Sequence, residues 1–124
     1  MPSKYQPVSP KITGTDARRV HTRLASLAQL PEKGRIEHVG YIQSVSYSAP
    51  GSAPQLSADV VDQPSSMRAP RGTVPHIRLR FMGQKSVPGI RPGVKIEYSG
   101  MVAPVEQIPT IYNPRYIIVP VARG

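Results

Sequence analysis

Apolar and polar residues alternate most clearly between positions 76 and 82. The apolar members of this stretch are Ile77, Leu79 and Phe81, and the residues between them include Arg78 and Arg80. A period of two residues is typical of a strand with one buried and one exposed face. We therefore predict a strand over His76–Met82 with an apolar inner face and a basic outer face.

Four more stretches rich in Ile, Val and Tyr are separated by Gly, Pro and Ser, which is the pattern of strands and turns. We predict strands over Arg35–Tyr47, Leu56–Asp62, Val94–Val102 and Thr110–Val119. Gly40 lies inside the first stretch and predicts a bulge or bend there. The segment Ala103–Pro109 is predicted to be a loop. Asn113-Pro114 predicts a bulge or a strand start, because Pro cannot donate a ladder hydrogen bond. Ile90, between two Pro-Gly turns, is predicted to fill the core.

Residues 15–30 have the spacing of an amphipathic helix. Thr15 and Asp16 offer side-chain oxygens for its N-cap, and Pro31 would end it. The apolar stripe would consist of Val20, Leu24, Leu27 and Ala28, with basic side chains mostly on the other side. We expect this helix to pack on the body of the domain with a solvated basic face. Direct contact with a ligand is the alternative.

Two segments lack a regular apolar pattern. Residues 1–14 contain three Pro together with Ser, Lys and Gln, and they are predicted to be a disordered tail. Residues 63–75 contain three Pro, two Ser and two Arg, and they are predicted to be a long flexible loop. The rest fits a single domain over residues 15–121, in agreement with a length of 124 residues.

The composition favours a β-rich fold. Ten Ile and thirteen Val stand against five Leu, and side chains branched at Cβ suit strands better than helices. Five short, bent strands cannot cover both faces of a flat sheet, whereas closure into a small barrel buries one face and removes the edges. We therefore predict a mainly β fold, with a five-stranded barrel over residues 35–119 and one N-terminal α-helix.

The chain carries a formal net charge of +9, with 16 Lys and Arg against 7 Asp and Glu. Residues 76–124 contain seven of the basic and two of the acidic residues, a balance of +5, so much of the excess lies in the part predicted to fold. A positive field attracts polyanions, and nucleic acid is the first candidate. A basic surface that serves only solubility, or attachment to anionic lipid, is the alternative.

The sequence lacks the residues and spacings of common catalytic and metal sites. It has no Cys, and its three His (His21, His38 and His76) are far apart. It has no Gly-rich phosphate loop and no Gly-x-Ser-x-Gly nucleophile motif. We therefore expect a non-enzyme with no metal and no cofactor. Because no secretion signal or long apolar segment is visible, we expect a cytoplasmic protein that does not enter a membrane.

Two runs of Gly, Pro and apolar residues carry a resemblance to a known family. Phe81–Val102 has the sequence FMGQKSVPGIRPGVKIEYSGMV, and Tyr112–Tyr116 has the sequence YNPRY. They resemble small actinobacterial OB-fold nucleic-acid-binding proteins and, more distantly, the OB modules that wedge open DNA in fork-remodelling helicases. The resemblance covers residues 35–119 and implies a five-stranded OB-fold barrel that binds nucleic acid. Such proteins usually have a tight Asp-Gly-Thr-Gly-like turn after the second strand, and here Asp62 is followed by a longer segment.

An OB barrel typically binds single strands across its second and third strands, with cations for phosphate and flat side chains for bases. The resemblance therefore implies a site centred on Arg78 and Arg80. Further candidates for polar contacts are Gln84, Lys85, Arg91, Arg68, Arg71 and Arg115, and candidates for base stacking are Tyr41, Tyr47, Tyr112 and Tyr116. The alternative for the arginines is a solvated outer face, and for the tyrosines it is packing at the rim of the barrel.

We predict binding of single-stranded DNA or RNA, mainly through backbone charge and with little sequence preference. The alternative is a protein-interaction module, in which the tail, the helix and the 63–75 loop dock a protein partner or a second copy of the chain. Convergence of Arg78, Arg80, Lys85 and Arg91 on one groove would favour nucleic acid, whereas scattered positions would favour a protein partner.

Overall fold

The computed structural model describes residues 22–64, 74–84 and 86–120. These residues are mainly β, with seven strands and one turn of 3-10 helix, Leu27–Gln29. The strands are β1 (Thr22–Arg23), β2 (Gly34–Tyr47), β3 (Gln55–Val61), β4 (His76–Met82), β5 (Lys95–Val105), β6 (Ile108–Tyr112) and β7 (Arg115–Ile118). The predicted tail and most of the predicted 63–75 loop lie outside the described residues. In the described ranges no helix is long and apolar enough to cross a membrane.

Five of the strands form a closed ring. β2 pairs with β3 and β3 with β4 in antiparallel fashion, β4 pairs with β6 in parallel, and β6 is antiparallel to β5. The ring closes because β2 also pairs with β5, from Gly34 opposite Val102 to Tyr41 opposite Lys95. β1 lies parallel beside β2, and β7 lies antiparallel beside β5. The prediction of a mainly β fold is confirmed.

The inner side of the ring holds the hydrophobic core, and β4 contributes to it as its alternation predicts. Ile77, Leu79 and Phe81 are buried, while the arginines between them are half-buried on the outer side. Ile90, in the connection between β4 and β5, is buried as predicted. Burial of such side chains supplies about 1.5–3 kcal/mol each. The core also contains Leu24, Leu27, Ile36, Ile42, Leu56, Ala58, Val60, Ile96, Tyr98, Val102 and Ile111.

Strand β2 is long enough to pair with two neighbours, and its register shifts where it passes from β5 to β3. Its even-numbered residues from Ile36 to Ile42 are buried, and the shift lies between Ile42 and Ser44. The predicted irregularity is therefore beyond Gly40 and not at it. A Cβ added to Gly40 would lie 2.5 Å from the carbonyl oxygen of Val61. The glycine is required by this close approach of the neighbouring strand.

The predicted helix over residues 15–30 is wrong where the structure describes it. The chain begins there with β1, and the amide of Leu24 bonds to the carbonyl of Glu37 (2.8 Å), which keeps it extended along β2. Ser26 then caps a single 3-10 turn by accepting a hydrogen bond from the amide of Ala28 (3.1 Å). Such a local side-chain bond competes with a continuous helix. The residues before β1 lie outside the described ranges.

The predicted loop over Ala103–Pro109 is also wrong, because β5 and β6 meet there in a tight hairpin. The strands stay in register as far as the pair Val105 and Ile108. Glu106 and Gln107 form the turn with φ values of 51° and 70°. A type I′ turn needs this left-handed conformation at both positions, and Asn and Gly are its usual residues. A Glu-Gln pair therefore carries no turn signal in the sequence.

Asn113 and Pro114 end β6 and separate it from β7, as predicted. Asn113 has a φ of 51°, and its side-chain oxygen accepts a hydrogen bond from the amide of Met82 (2.9 Å). Its own amide donates to the carbonyl of Arg80 (2.6 Å). This kink ends the pairing with β4, so that β7 pairs with β5 alone among the described strands.

Candidate nucleic-acid interface

The outer surface of β3, β4 and β6 carries two rows of polar side chains. Residues directly opposite one another on neighbouring strands place their side chains on the same face. The register puts Ser57, Arg80 and Tyr112 in one row and Asp59, Arg78 and Thr110 in the next. We term this side of the three strands the β4 face; Ser57 and Thr110 are buried in it, whereas its other four side chains are at least partly exposed. It contains both of the arginines at the centre of the site implied by the resemblance.

Arg78 is paired with a carboxylate on this face. Its Nε donates to Oδ1 of Asp59 at 2.9 Å, and its Nη2 lies 3.5 Å from Oδ2. The hydrogen bond to Asp59 is the largest cause of a raised pKa of Arg78, and the charges of Asp59 and Glu106 act in the same direction. Because Asp59 neutralises it locally, Arg78 adds little positive potential for a phosphate.

Arg80 forms no ion pair within the described part of the chain, and it lies beside an exposed aromatic ring. Its Nη1 is 3.4 Å from the hydroxyl oxygen of Tyr112, and its Cζ is 5.9 Å from the centre of that ring. Its Nε is buried and has no hydrogen-bond partner among the described residues. Tyr112 is 47% exposed and Met82, next along the outer side of β4, is 41% exposed. A cation beside an exposed ring combines a phosphate contact with a stacking surface.

Tyr116 is held by the fold. Its ring packs edge-on against Phe81, with ring centres 5.6 Å apart. Its hydroxyl donates to the carbonyl oxygen of Pro88 at 2.9 Å, and burial raises its pKa. These contacts match the packing role that was the alternative for this residue, and they tie β7 to the connection after β4.

Two other candidate tyrosines lie away from the β4 face. Tyr47 is opposite the core residue Leu56, so it lies on the core side of the sheet, yet it is 65% exposed at the end of β2. Tyr41 is half-buried where β2 pairs with both β3 and β5, and Nζ of Lys95 lies 5.9 Å from its ring centre. Neither ring joins the surface formed by Arg80 and Tyr112.

Of the remaining candidates, Gln84 lies beside the end of the β4 face, where it lines a surface pocket with Met82 and Asn113. Arg91 is exposed in the connection between β4 and β5, and Arg115 is exposed on β7. Arg115 lines a groove with Glu37 and Glu97 on the outer side of β5. Lys85, Arg68 and Arg71 lie outside the described residues. The described arginines therefore do not all lie on one face, an arrangement that by itself favours the protein-partner alternative. The β4 face nevertheless brings together one exposed ring, Tyr112, and one cation without a carboxylate partner among the described residues, Arg80.

A buried hydrogen-bond network was missed by the sequence reasoning. His38 lies on the inner side of β2, with its Nδ1 2.8 Å from the hydroxyl of Tyr98 and its Nε2 2.8 Å from Oδ1 of Asp62. Asp62 also accepts hydrogen bonds from the hydroxyl of Ser26 (2.9 Å) and the amide of Leu27 (3.0 Å). The network therefore fastens the segment before β2 to the end of β3.

The surroundings of His38 favour its neutral form. Burial lowers the pKa of His38, and this effect exceeds the raising effect of Asp62. A neutral imidazole protonated at Nε2 donates to Asp62 and accepts from Tyr98 at Nδ1, so both ring nitrogens are satisfied. Burial, with a smaller contribution from Asp62, raises the pKa of Tyr98. Both rings are 1% exposed, so the arrangement binds chain segments together and is closed to a substrate.

Comparisons with known proteins give no assignment. The chain matches no protein-family model and no curated protein. In the described ranges, no three His, Asp or Glu side chains are grouped so that they could hold a metal ion. A function for this chain therefore has to be inferred from the strand pairing and the β4 face.

Proposed function

We propose that this chain is a non-enzymatic OB-type barrel protein that binds single-stranded DNA or RNA on its β4 face. The strand pairing supports the OB assignment. If the five ring strands are numbered along the chain from β2 to β6, their order around the ring is first, second, third, fifth, fourth. The third (β4) and the fifth (β6) are parallel. This is the pairing order of an OB barrel, whose second and third strands carry the ligand face. β3 and β4 occupy those two places here.

The observation that carries the proposal is the juxtaposition of Arg80 and Tyr112. A guanidinium group can pair with a backbone phosphate, and an adjacent exposed ring can stack on a base of any identity. Met82, exposed on the same side of β4, extends the apolar part of this surface. Contacts of these two kinds bind a single strand and carry little sequence information.

The connections beside the face are consistent with low selectivity. β5 and β6 are joined by two residues only, Glu106 and Gln107, so this hairpin offers no long loop to enclose a ligand. The Asp59 carboxylate also cancels one of the two arginine charges on the face. We therefore expect an open surface that makes few phosphate contacts and binds weakly at high salt.

Fluorescence anisotropy with a labelled single-stranded oligonucleotide of mixed sequence at low salt tests the proposal. Arg80→Gln is the first variant, and Arg35→Gln is its control. Arg35 is exposed opposite Met101, on the outer side of β2 and β5, so both variants lose one charge from different faces. We expect Arg80→Gln to weaken binding several-fold and to lower the slope of log affinity against log salt by about 0.7, with little effect of Arg35→Gln.

A second pair of variants tests stacking. Tyr112→Ala removes the exposed ring of the β4 face, and Tyr47→Ala removes an equally large exposed ring from elsewhere. Loss of one stacked base costs about 1–3 kcal/mol, which is roughly fivefold or more in affinity. We expect this loss for Tyr112→Ala alone. Absence of binding by the unmodified chain at low salt, or equal losses within both pairs of variants, would refute the β4 face as the binding surface.

A further inference from the structure

Strand β7 leaves an open sheet edge. Among the described strands it pairs only with β5, and the next residue, Val119, donates its amide to the carbonyl of Lys95 (2.9 Å). Hydrogen-bonded pairs alternate along an antiparallel ladder. The register therefore directs the backbone groups of Ile117 to β5 and those of Tyr116 and Ile118 to the open edge. No backbone group of the described residues bonds to them from that side.

Two prolines limit this edge to a short window. Pro114 precedes β7 and Pro120 follows Val119, and neither residue has an amide hydrogen to donate. The window between them, residues 115–119, is centred on Ile117. The side chain of Ile117 is 61% exposed on the outer side of the strand. A two-fold axis at Ile117 therefore aligns the whole window with a copy of itself.

We propose that a second copy of this chain binds this edge, with the two β7 strands antiparallel about that axis. Tyr116 of each copy is then opposite Ile118 of the other, and their open amide and carbonyl groups form four hydrogen bonds. The two Ile117 residues form the central pair without hydrogen bonds, in which Cα atoms are about 4.5 Å apart and side chains touch. The same patch serves both copies, as a two-fold interface requires.

The charges near β7 suit a second copy. The chain carries +9, so two copies repel each other over most approaches. Beside β7, however, Arg23 lies 2.8 Å from Glu37 and 4.0 Å from Glu97. Arg115 adds a positive charge to the groove that these carboxylates line, which has a volume of about 550 Å³. These two carboxylates offset two of the three cations Arg23, Lys95 and Arg115 on this side, so a like-charged partner meets less repulsion near β7 than the net charge of +9 implies.

The size of the contact sets its strength. A strand of four residues buries less surface than the roughly 800 Å² per partner of a standard interface, so the dimer is weak and depends on protein concentration. β6 and β7 both pair with β5 on the side opposite β2, so the open edge of β7 lies past the end of β4, near Met82. The inference rests on the backbone groups of β7 and is tested without nucleic acid, so it does not depend on what the β4 face binds.

Disulfide trapping tests the central pair directly. The chain has no Cys, so Ile117→Cys introduces a single thiol at the proposed axis. The Cα atoms of the central pair are about 4.5 Å apart. Disulfide-bonded cysteines have Cα separations of about 4.4–6.8 Å, most often about 5.5 Å, so the pair is close enough to be bridged. The control is Met101→Cys, which is 55% exposed on the outer side of β5 and away from the axis. Under mild oxidation of the full-length chain, we expect I117C to form covalent dimers several-fold faster than M101C.

Sedimentation velocity over a range of protein concentrations gives an independent measurement. The unmodified chain should show a rising sedimentation coefficient, and Met101→Lys should behave in the same way. Ile117→Lys places two like charges at the axis and should remain monomeric, while circular dichroism checks that it stays folded. A monomeric unmodified chain at every concentration, persistent dimers of I117K, or equal cross-linking of the two cysteine variants would each overturn the inference.

Discussion

The substitution Asp62→Ala tests whether the buried network holds the segment before β2 on the ring. Asp62 is the acceptor for Nε2 of His38 at 2.8 Å, for the hydroxyl of Ser26 at 2.9 Å and for the amide of Leu27 at 3.0 Å. Alanine removes all three bonds and puts no acceptor in their place. The network then loses the one side chain that joins the two segments.

The loss in the free energy of unfolding depends on whether each group that donated to Asp62 can find another hydrogen-bond partner. His38 is 1% exposed, so its ring N–H finds no water, and a buried donor without a partner costs about 1–3 kcal/mol. The Asp62 side chain is 29% exposed, so water can replace it in part at Ser26 and Leu27, with a further loss of about 1 kcal/mol. We therefore expect a total loss of about 2–4 kcal/mol in the free energy of unfolding, or roughly 10 °C in Tm.

Urea and thermal unfolding monitored by circular dichroism measure this loss, and Asp59→Ala is the matched control. Asp59 lies on the same strand and forms a partly exposed ion pair with Arg78, an interaction that contributes about 1 kcal/mol or less. If Asp62→Ala destabilises the chain no more than Asp59→Ala does, the network does not hold the segment and the reasoning is refuted.

Three further predictions concern stability. The pKa of folded His38 lies below 6.5, so as the pH first falls below that value only the unfolded state gains this proton. Stability measured in urea should therefore fall between about pH 7 and pH 5.5, by at most about 1.4 kcal/mol per pH unit from this group. A flat profile would contradict a neutral buried His38. Gln107→Gly relieves a left-handed residue in the hairpin and should raise the free energy of unfolding by about 1 kcal/mol in the same assay. Gly40→Ala forces a Cβ against the carbonyl of Val61 and should lower Tm by several degrees, a loss of about 1–3 kcal/mol in the free energy of unfolding. An unchanged Tm would show that β3 can move away from the added methyl group without loss of stability.

The sequence predicts well those strands in which apolar and polar residues alternate and the apolar residues are the buried ones. β4 is the clearest case, because Ile77, Leu79 and Phe81 are buried and the arginines between them are not. The break at Asn113-Pro114 is also predictable, but proline alone does not decide it, because Pro104 and Pro109 are paired with each other inside β5 and β6. In β4 the local residues decide the outcome, whereas at Asn113 the left-handed backbone (φ 51°) and the side-chain bond to Met82 accompany the break.

Other features depend on contacts that are distant in the sequence. The helical spacing over residues 15–30 includes Leu24 and Leu27, but these residues reach the core from an extended segment and a 3-10 turn that Asp62 helps to hold. His38 is polar and interrupts the apolar pattern of β2, although it shares the inward positions with Ile36 and Ile42. Its burial becomes predictable only when Tyr98 and Asp62 are known to face it.

Charge patterns in the sequence overstate the positive charge of the β4 face for the same reason. Arg78 and Arg80 are equivalent in the alternation of β4, but the register sets Asp59 opposite Arg78 and Ser57 opposite Arg80. Among the residues that the structure describes, a carboxylate neutralises Arg78 and none neutralises Arg80, and nothing within β4 itself distinguishes the two arginines. Since each phosphate contact contributes separately to affinity and to its salt dependence, the number of unpaired cations on a face is a better guide to binding than the net charge of the segment. By that measure the binding proposed for the β4 face would depend on one cation of that face, Arg80, for its phosphate contacts.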